Sequence, residues 1–215
     1  HGDHSRDNDI VAAFVSANPD RFGGVGFVTP HYPETVVKEL ERAFDVLGMA
    51  YLKIYPDYYG RPVDDPGYFP IYEWCNDRGI LIKCHSSYTS EADVLTAPRL
   101  FTPLAQRYTR IKWLLAHSGN LPQGQAQAVE AARACPNIYL ETATSFANHG
   151  TIEYLVNGAG PNRVLFGSDM PLLDARMQVG RIITADLDDS IKKDILGLNA
   201  IRLLGLNTST SEYEV

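Results

Sequence analysis

A chain of 215 residues fits one domain and is long enough to bury a core without disulfides or structural metals. Hydrophobic residues at 45% and charged residues at 21% are globular values, and no apolar run approaches the roughly 18 residues needed to cross a membrane. A net charge of -7 argues against a broad phosphate-binding surface, so nucleic acid is not an expected partner.

The chain starts His1-Gly-Asp-His4 rather than with Met and enters a helical pattern almost at once, which reads as an interior point of a longer gene product. Next comes "GGVGFVTP" (23–30), a strand stopped by Pro30. In "PETVVKELERAFDVLG" (33–48), Val36, Val37, Leu40, Ala43, Phe44 and Leu47 recur at helical spacing, with Pro33 near the start and Gly48 placed to end the helix. The strand "MAYLKIYP" (49–56) and the helix "YFPIYEWCNDRG" (68–79) lead to the strand "ILIKCH" (80–85). A helix over 97–109 precedes "IKWLLAH" (111–117), a helix over 124–135 precedes "NIYLETAT" (137–144), and a helix around 151–157 precedes "RVLFGSD" (163–169). Helices near Ser190 and Ala200 close the chain, and the tail 207–215 is expected to be flexible.

Strand and helix alternate six times, with strand ends near Pro30, Tyr55, His85, His117, Thr142 and Asp169. Such alternation implies a parallel sheet, because parallel neighbours need helical crossovers rather than tight hairpins. Two α/β architectures remain: a doubly wound open sheet, or a (β/α)8 TIM barrel whose eight units take about 250 residues. Six units after an interior start suit strands three to eight of the barrel, one domain over residues 1–206. Six strands would leave two apolar sheet edges, which the chain is expected to cover by pairing with another copy.

In parallel α/β folds chemistry collects at the carboxyl ends of strands, and three strands end in His85, His117 and Asp169. Imidazole and carboxylate are suitable ligands for Zn²⁺ or a related divalent ion. A strand-end histidine alone is more often a satisfied structural residue, and a strand-end aspartate often caps the next helix. The residues alone therefore leave both readings open, although three polar ends in one fold weigh toward a site. Lys53 and Lys83 share the inward face and are weaker candidates. His31 reads as a loop residue and His149 as a turn or cap. "GAGPNRVLFG" precedes a strand rather than following one, so a dinucleotide site fails on context, and neither a serine-hydrolase elbow nor a nucleotide P-loop occurs. Cys75, Cys84 and Cys135 are odd in number and scattered, which suits reduced thiols in a cytoplasm.

Taken in order, "NPDRFGGVGFVTP", "YLKIYPDYYGRPVDDPGYFPIYEWCNDRGILIKCH", "IKWLLAHSGN", "PNIYLETAT", "GPNRVLFGSDMP" and "ILGLNAIRLLGL" resemble the amidohydrolase-related family of the amidohydrolase superfamily. That branch holds metal-dependent hydrolases and aminocarboxymuconate-semialdehyde decarboxylase-like enzymes. The resemblance implies a TIM barrel with a divalent ion, Zn²⁺ first, held by His85 and Asp169, and with His117 and Asp169 as catalytic residues. Asp169 would handle the proton while His117 stabilises developing charge. It implies a hydrolase acting on a small carboxylated or cyclic molecule; the alternatives are a nonoxidative decarboxylase on the same scaffold and a noncatalytic barrel fragment serving as an interaction module. The family's H-x-H pair at the end of strand one has no counterpart, since His1-Gly-Asp-His4 carries one residue too many between its histidines.

Overall fold

The computed structural model describes residues 4–206; residues 1–3 and the tail 207–215 lie outside the described residues. The expected alternation is realised as α1 (His4–Ala17), β1 (Val25–Phe27), α2 (Val36–Glu41) running into a π turn (Arg42–Val46), β2 (Tyr51–Ile54), the short α3 (Pro56–Tyr59), α4 (Phe69–Arg78) and β3 (Leu81–Ser87). It continues through α5 (Phe101–Arg107), β4 (Lys112–Gly119), α6 (Pro122–Ala134), β5 (Ile138–Glu141), α7 (Thr151–Ala159), β6 (Val164–Leu165), α8 (Ala175–Ile183), α9 (Asp189–Lys193) and α10 (Asn199–Leu204). The strands form one parallel sheet in sequence order, β1 to β6. Among the described residues β1 and β6 do not pair with each other, so the sheet remains open.

Period-two alternation divides every strand between two faces. Outward go Leu52, Ile54, Ile82, Cys84, Trp113, Leu115, Ile138, Leu140 and Val164, all but inaccessible to solvent under the helices. Inward, the floor is a second apolar cluster of Leu81, Leu114 and Leu165, closed from below by Leu203 of α10. The three cysteines are free and buried. Burial pushes the thiols of Cys75 and Cys84 well above the ordinary cysteine range, which leaves them as inert core residues.

Two local expectations need correction. The last strand was expected to run to Asp169, with Leu165, Gly167 and Asp169 on one face, but the ladder stops at Leu165. From there the backbone bonds elsewhere: the Phe166 amide donates to the Ile195 carbonyl at 2.8 Å and the Gly167 amide to Thr142 Oγ1 at 3.3 Å. Asp169 is thus reached through an irregular segment. The second is an addition, α8, a helix that the sequence reading did not include. Its start is nonetheless defined, since the Asp174 carboxylate accepts the Arg176 amide at 2.9 Å as an N-cap.

Candidate active site

A cavity of about 500 Å³ opens at the carboxyl ends of the strands. His85, His117 and Asp169 all line it, so the three residues singled out in the sequence converge on one site. Its aromatic wall is continuous: Phe27 meets Tyr58 at 6.4 Å between ring centroids, Tyr58 meets Tyr55 at 4.4 Å, and Tyr55 meets His85 at 4.9 Å. His85 in turn packs edge-on against His117, with centroids 4.9 Å apart.

His85 stands on β3 two residues beyond Lys83, on the inward face as alternation requires. Burial, reinforced by nearby His117 and Lys53, pushes its pKa down from 6.5 to about 3, so the ring is neutral at physiological pH. His117 reaches the cavity by a different route. Straight alternation would put it outward with Trp113 and Leu115. However, β4 carries an extra residue against β3: His85 aligns with Ala116, whereas Ser87 aligns with Gly119. This bulge, with His117 at φ 67° and Ser118 at φ 46°, turns the His117 ring inward. The Nδ1 atom of His117 lies 2.8 Å from the Ala143 carbonyl. A carbonyl can only accept, so Nδ1 carries a hydrogen, and this bond fixes the orientation of the ring.

Glu141, which the sequence reading passed over, holds this turn in place. It is buried at the end of β5, and its two oxygens have separate duties: Oε2 accepts the His117 amide at 2.9 Å and Oε1 accepts Lys83 Nζ at 3.1 Å. Ser118 Oγ donates to the Glu141 carbonyl at 2.9 Å. Gly167 is what makes room, since a Cβ there would coincide with Glu141 Oε1. A carboxylate ending an otherwise apolar strand, in phase with the inward residue Tyr139, was the available signal.

Asn120 completes the rim, donating from Nδ2 to Ser87 Oγ at 3.1 Å and accepting Thr144 Oγ1 at 2.9 Å. The only non-glycine residues with positive φ among those described are His117, Ser118, Asn120 and Asp169, all at this site. Such conformations persist where surrounding bonds over-determine them, and they concentrate at functional sites. His31 and His149 lie in turns and do not line the cavity, as the sequence indicates.

The donors suit a divalent ion chemically: a neutral imidazole at His85 and an exposed carboxylate at Asp169. Their number and placement do not. Among the described residues no three His, Cys, Asp or Glu side chains form a group able to hold a metal ion, whereas strong divalent sites take three or more protein ligands. These residues therefore do not make a metal site by themselves.

With this geometry in view, the family model described as amidohydrolase matches residues 2–206. Over 235 aligned residues the chain is 26% identical to the 2-amino-3-carboxymuconate-6-semialdehyde decarboxylase of Dictyostelium discoideum, covering 93% of this chain and 66% of that relative. The chain thus spans just under two thirds of the relative's length. An uncharacterised TIM-barrel protein from Bordetella bronchiseptica superposes with a TM-score of 0.80 at 25% identity, over 92% of this chain and 72% of the other. The dihydroxybenzoic acid decarboxylase of Polaromonas sp. JS666, solved with manganese and the inhibitor 2-nitroresorcinol, gives a TM-score of 0.76 at 20% identity over 98% and 77% of the two chains, a likeness of fold alone. The six-stranded parallel sheet is accordingly part of a TIM barrel, and the chain belongs to the amidohydrolase family.

Proposed function

We propose that this chain carries the catalytic face of a nonoxidative decarboxylase acting on a small planar carboxylic acid. The reading rests on the cavity, which sets Asp169 and the Nδ1-anchored His117 against an aromatic wall. Decarboxylation replaces a C–COO⁻ bond by a C–H bond, releases CO2 and consumes one proton. Asp169, exposed at the mouth, is placed to relay that proton from solvent. His117, when it carries a second proton on Nε2, is placed to stabilise the negative charge that develops as the C–C bond breaks. Decarboxylation also agrees with the name of the Dictyostelium relative.

If a divalent ion joins this site, His85 and Asp169 are its protein donors, and Zn²⁺ and Mn²⁺ are the two ions to compare. The buried free thiols suit a cytoplasmic setting. The edges at β1 and β6 are capped within the chain, where Asn8 bonds both the amide and the carbonyl of Phe27 and Asn199 donates to the Val164 carbonyl, so pairing with another copy is not needed to satisfy them.

The test offers the chain a panel of hydroxybenzoic acids with Zn²⁺ or Mn²⁺ and measures CO2 release, alongside a panel of esters and cyclic amides. CO2 release that Asp169→Asn lowers by about 10²–10⁴-fold is expected. Ester or amide turnover with no CO2 release would return the chain to the hydrolases.

A further inference from the structure

The inner face of the sheet holds two lysines in identical settings but with different partners. Lys53 on β2 and Lys83 on β3 are register neighbours, so their side chains enter the barrel at the same level. Lys83 is neutralised by Glu141. Lys53 has no carboxylate within ion-pair distance among the described residues; its ammonium lies 5.5 Å from the Tyr55 ring centroid, and it lines the cavity. Asp169 faces the same space but does not reach it. Half-burying an ammonium without a counter-ion carries a cost that a use for the charge would offset, and desolvation here draws the Lys53 pKa below the ordinary lysine value.

We infer that Lys53 is the anchor for an oxygen anion on the substrate, and that this anion is the group the reaction leaves in place. The second half follows from the chemistry. An ammonium paired with the departing carboxylate would stabilise the ground state and raise the barrier to its loss, whereas one paired with a spectator group orients the substrate without that penalty. Resting on the decarboxylase reading, this narrows the substrate class to planar acids bearing two acidic groups. One is lost as CO2 beside His117 and Asp169, and the other remains on Lys53. The product, a monoanion, still satisfies Lys53.

Benzoate is the minimal product-like probe and benzamide its neutral counterpart, both titrated calorimetrically in EDTA so that no ion contributes. Benzoate is expected to bind the parent chain, to bind Lys53→Met roughly tenfold or more weakly, and to recover with Lys53→Arg. Benzamide should bind parent and Lys53→Met equally, and circular dichroism should confirm that the variant is folded. Equal benzoate affinity in a folded Lys53→Met, or no benzoate binding by the parent, overturns the anchor. Turnover separates the two claims. Lys53-dependent benzoate binding without CO2 release would sink the decarboxylase reading and keep the anion site. CO2 release with KM unchanged in Lys53→Met would do the reverse.

Discussion

The two faces of this sheet are cut from the same six strands and obey opposite rules. On the outer face Ile54, Ile82, Trp113, Leu115 and Leu140 pack beneath helices in a cluster that holds no carboxylate, ammonium, guanidinium or imidazole. On the inner face the same strands climb from a leucine floor, through the layer of Lys53 and the Lys83–Glu141 pair, to His85 and His117 at the cavity that Lys53 also lines. A period of two therefore lets neighbouring residues on one strand serve different ends: Cys84 fills the core while Lys83 on one side of it pairs with Glu141 and His85 on the other lines the cavity. Stability is concentrated outside, and the inner polar layer is kept in place by pairing.

Two substitutions test that division most severely. Glu141→Ala removes both the counter-ion of Lys83 and the acceptor of the His117 amide, and should cost about 3–5 kcal/mol of stability. Trp113→Ala empties a fully buried outer position and should cost a similar amount, about 3–5 kcal/mol. Urea unfolding measures both, and the second-site responses differ. Adding Lys83→Met to Glu141→Gln should recover most of the loss, because the charge is removed and an acceptor for His117 remains, whereas no inner-face change should rescue Trp113→Ala. A Trp113→Ala chain rescued by Lys83→Met would mean that the two faces are not independent.

A smaller effect comes from His85. Its folded pKa of about 3 lies below the ordinary 6.5, so between these values the unfolded chain takes up a proton that the folded chain refuses. Stability from this group is therefore complete above pH 6.5 and falls as the pH drops toward 3. From pH 7 to pH 5 the loss should be about 2 kcal/mol in the metal-free chain. His85→Gln supplies the control, because it should lack this component of the pH dependence. Equal pH slopes in parent and variant would show that the imidazole titrates normally.

Much of this was legible in the sequence because it depends on periodicity. The strand positions, most of the helices and the placing of His85, His117 and Asp169 at one end of the strands all follow from counting apolar residues and noting where the runs stop. What was hidden depends on departures from periodicity. His117 faces inward through a bulge that the run "WLLAH" does not announce. Asp169 lies four residues beyond its ladder, although "RVLFGSD" reads as one strand. Glu141 was overlooked because its importance lies in partners on two other strands, Lys83 and the His117 amide, which no local pattern brings together.

The mildest test concerns α8, the helix that the sequence reading passed over, because it supports the rim of the inner face rather than the core of the outer one. Gln178 donates to the Thr144 carbonyl at 2.9 Å and Arg181 to the Thr142 carbonyl at 2.7 Å, so α8 clasps the segment after β5 whose Thr144 hydroxyl bonds to Asn120. Asp174→Ala removes the cap of this helix and its bond to the Arg176 amide, worth about 1 kcal/mol. That predicts a drop of roughly 2–4 °C in Tm for a chain of this size. Hydrogen exchange gives the sharper reading. Amides from Thr142 to Phe146 and along the first turn of α8 should exchange faster in Asp174→Ala, while those of Trp113 and Leu115 remain protected, because loss of a cap opens only the element it closes. Faster exchange spread evenly over β4 would mean that the rim and the core open as one unit, and the division between the two faces would then describe chemistry without describing stability.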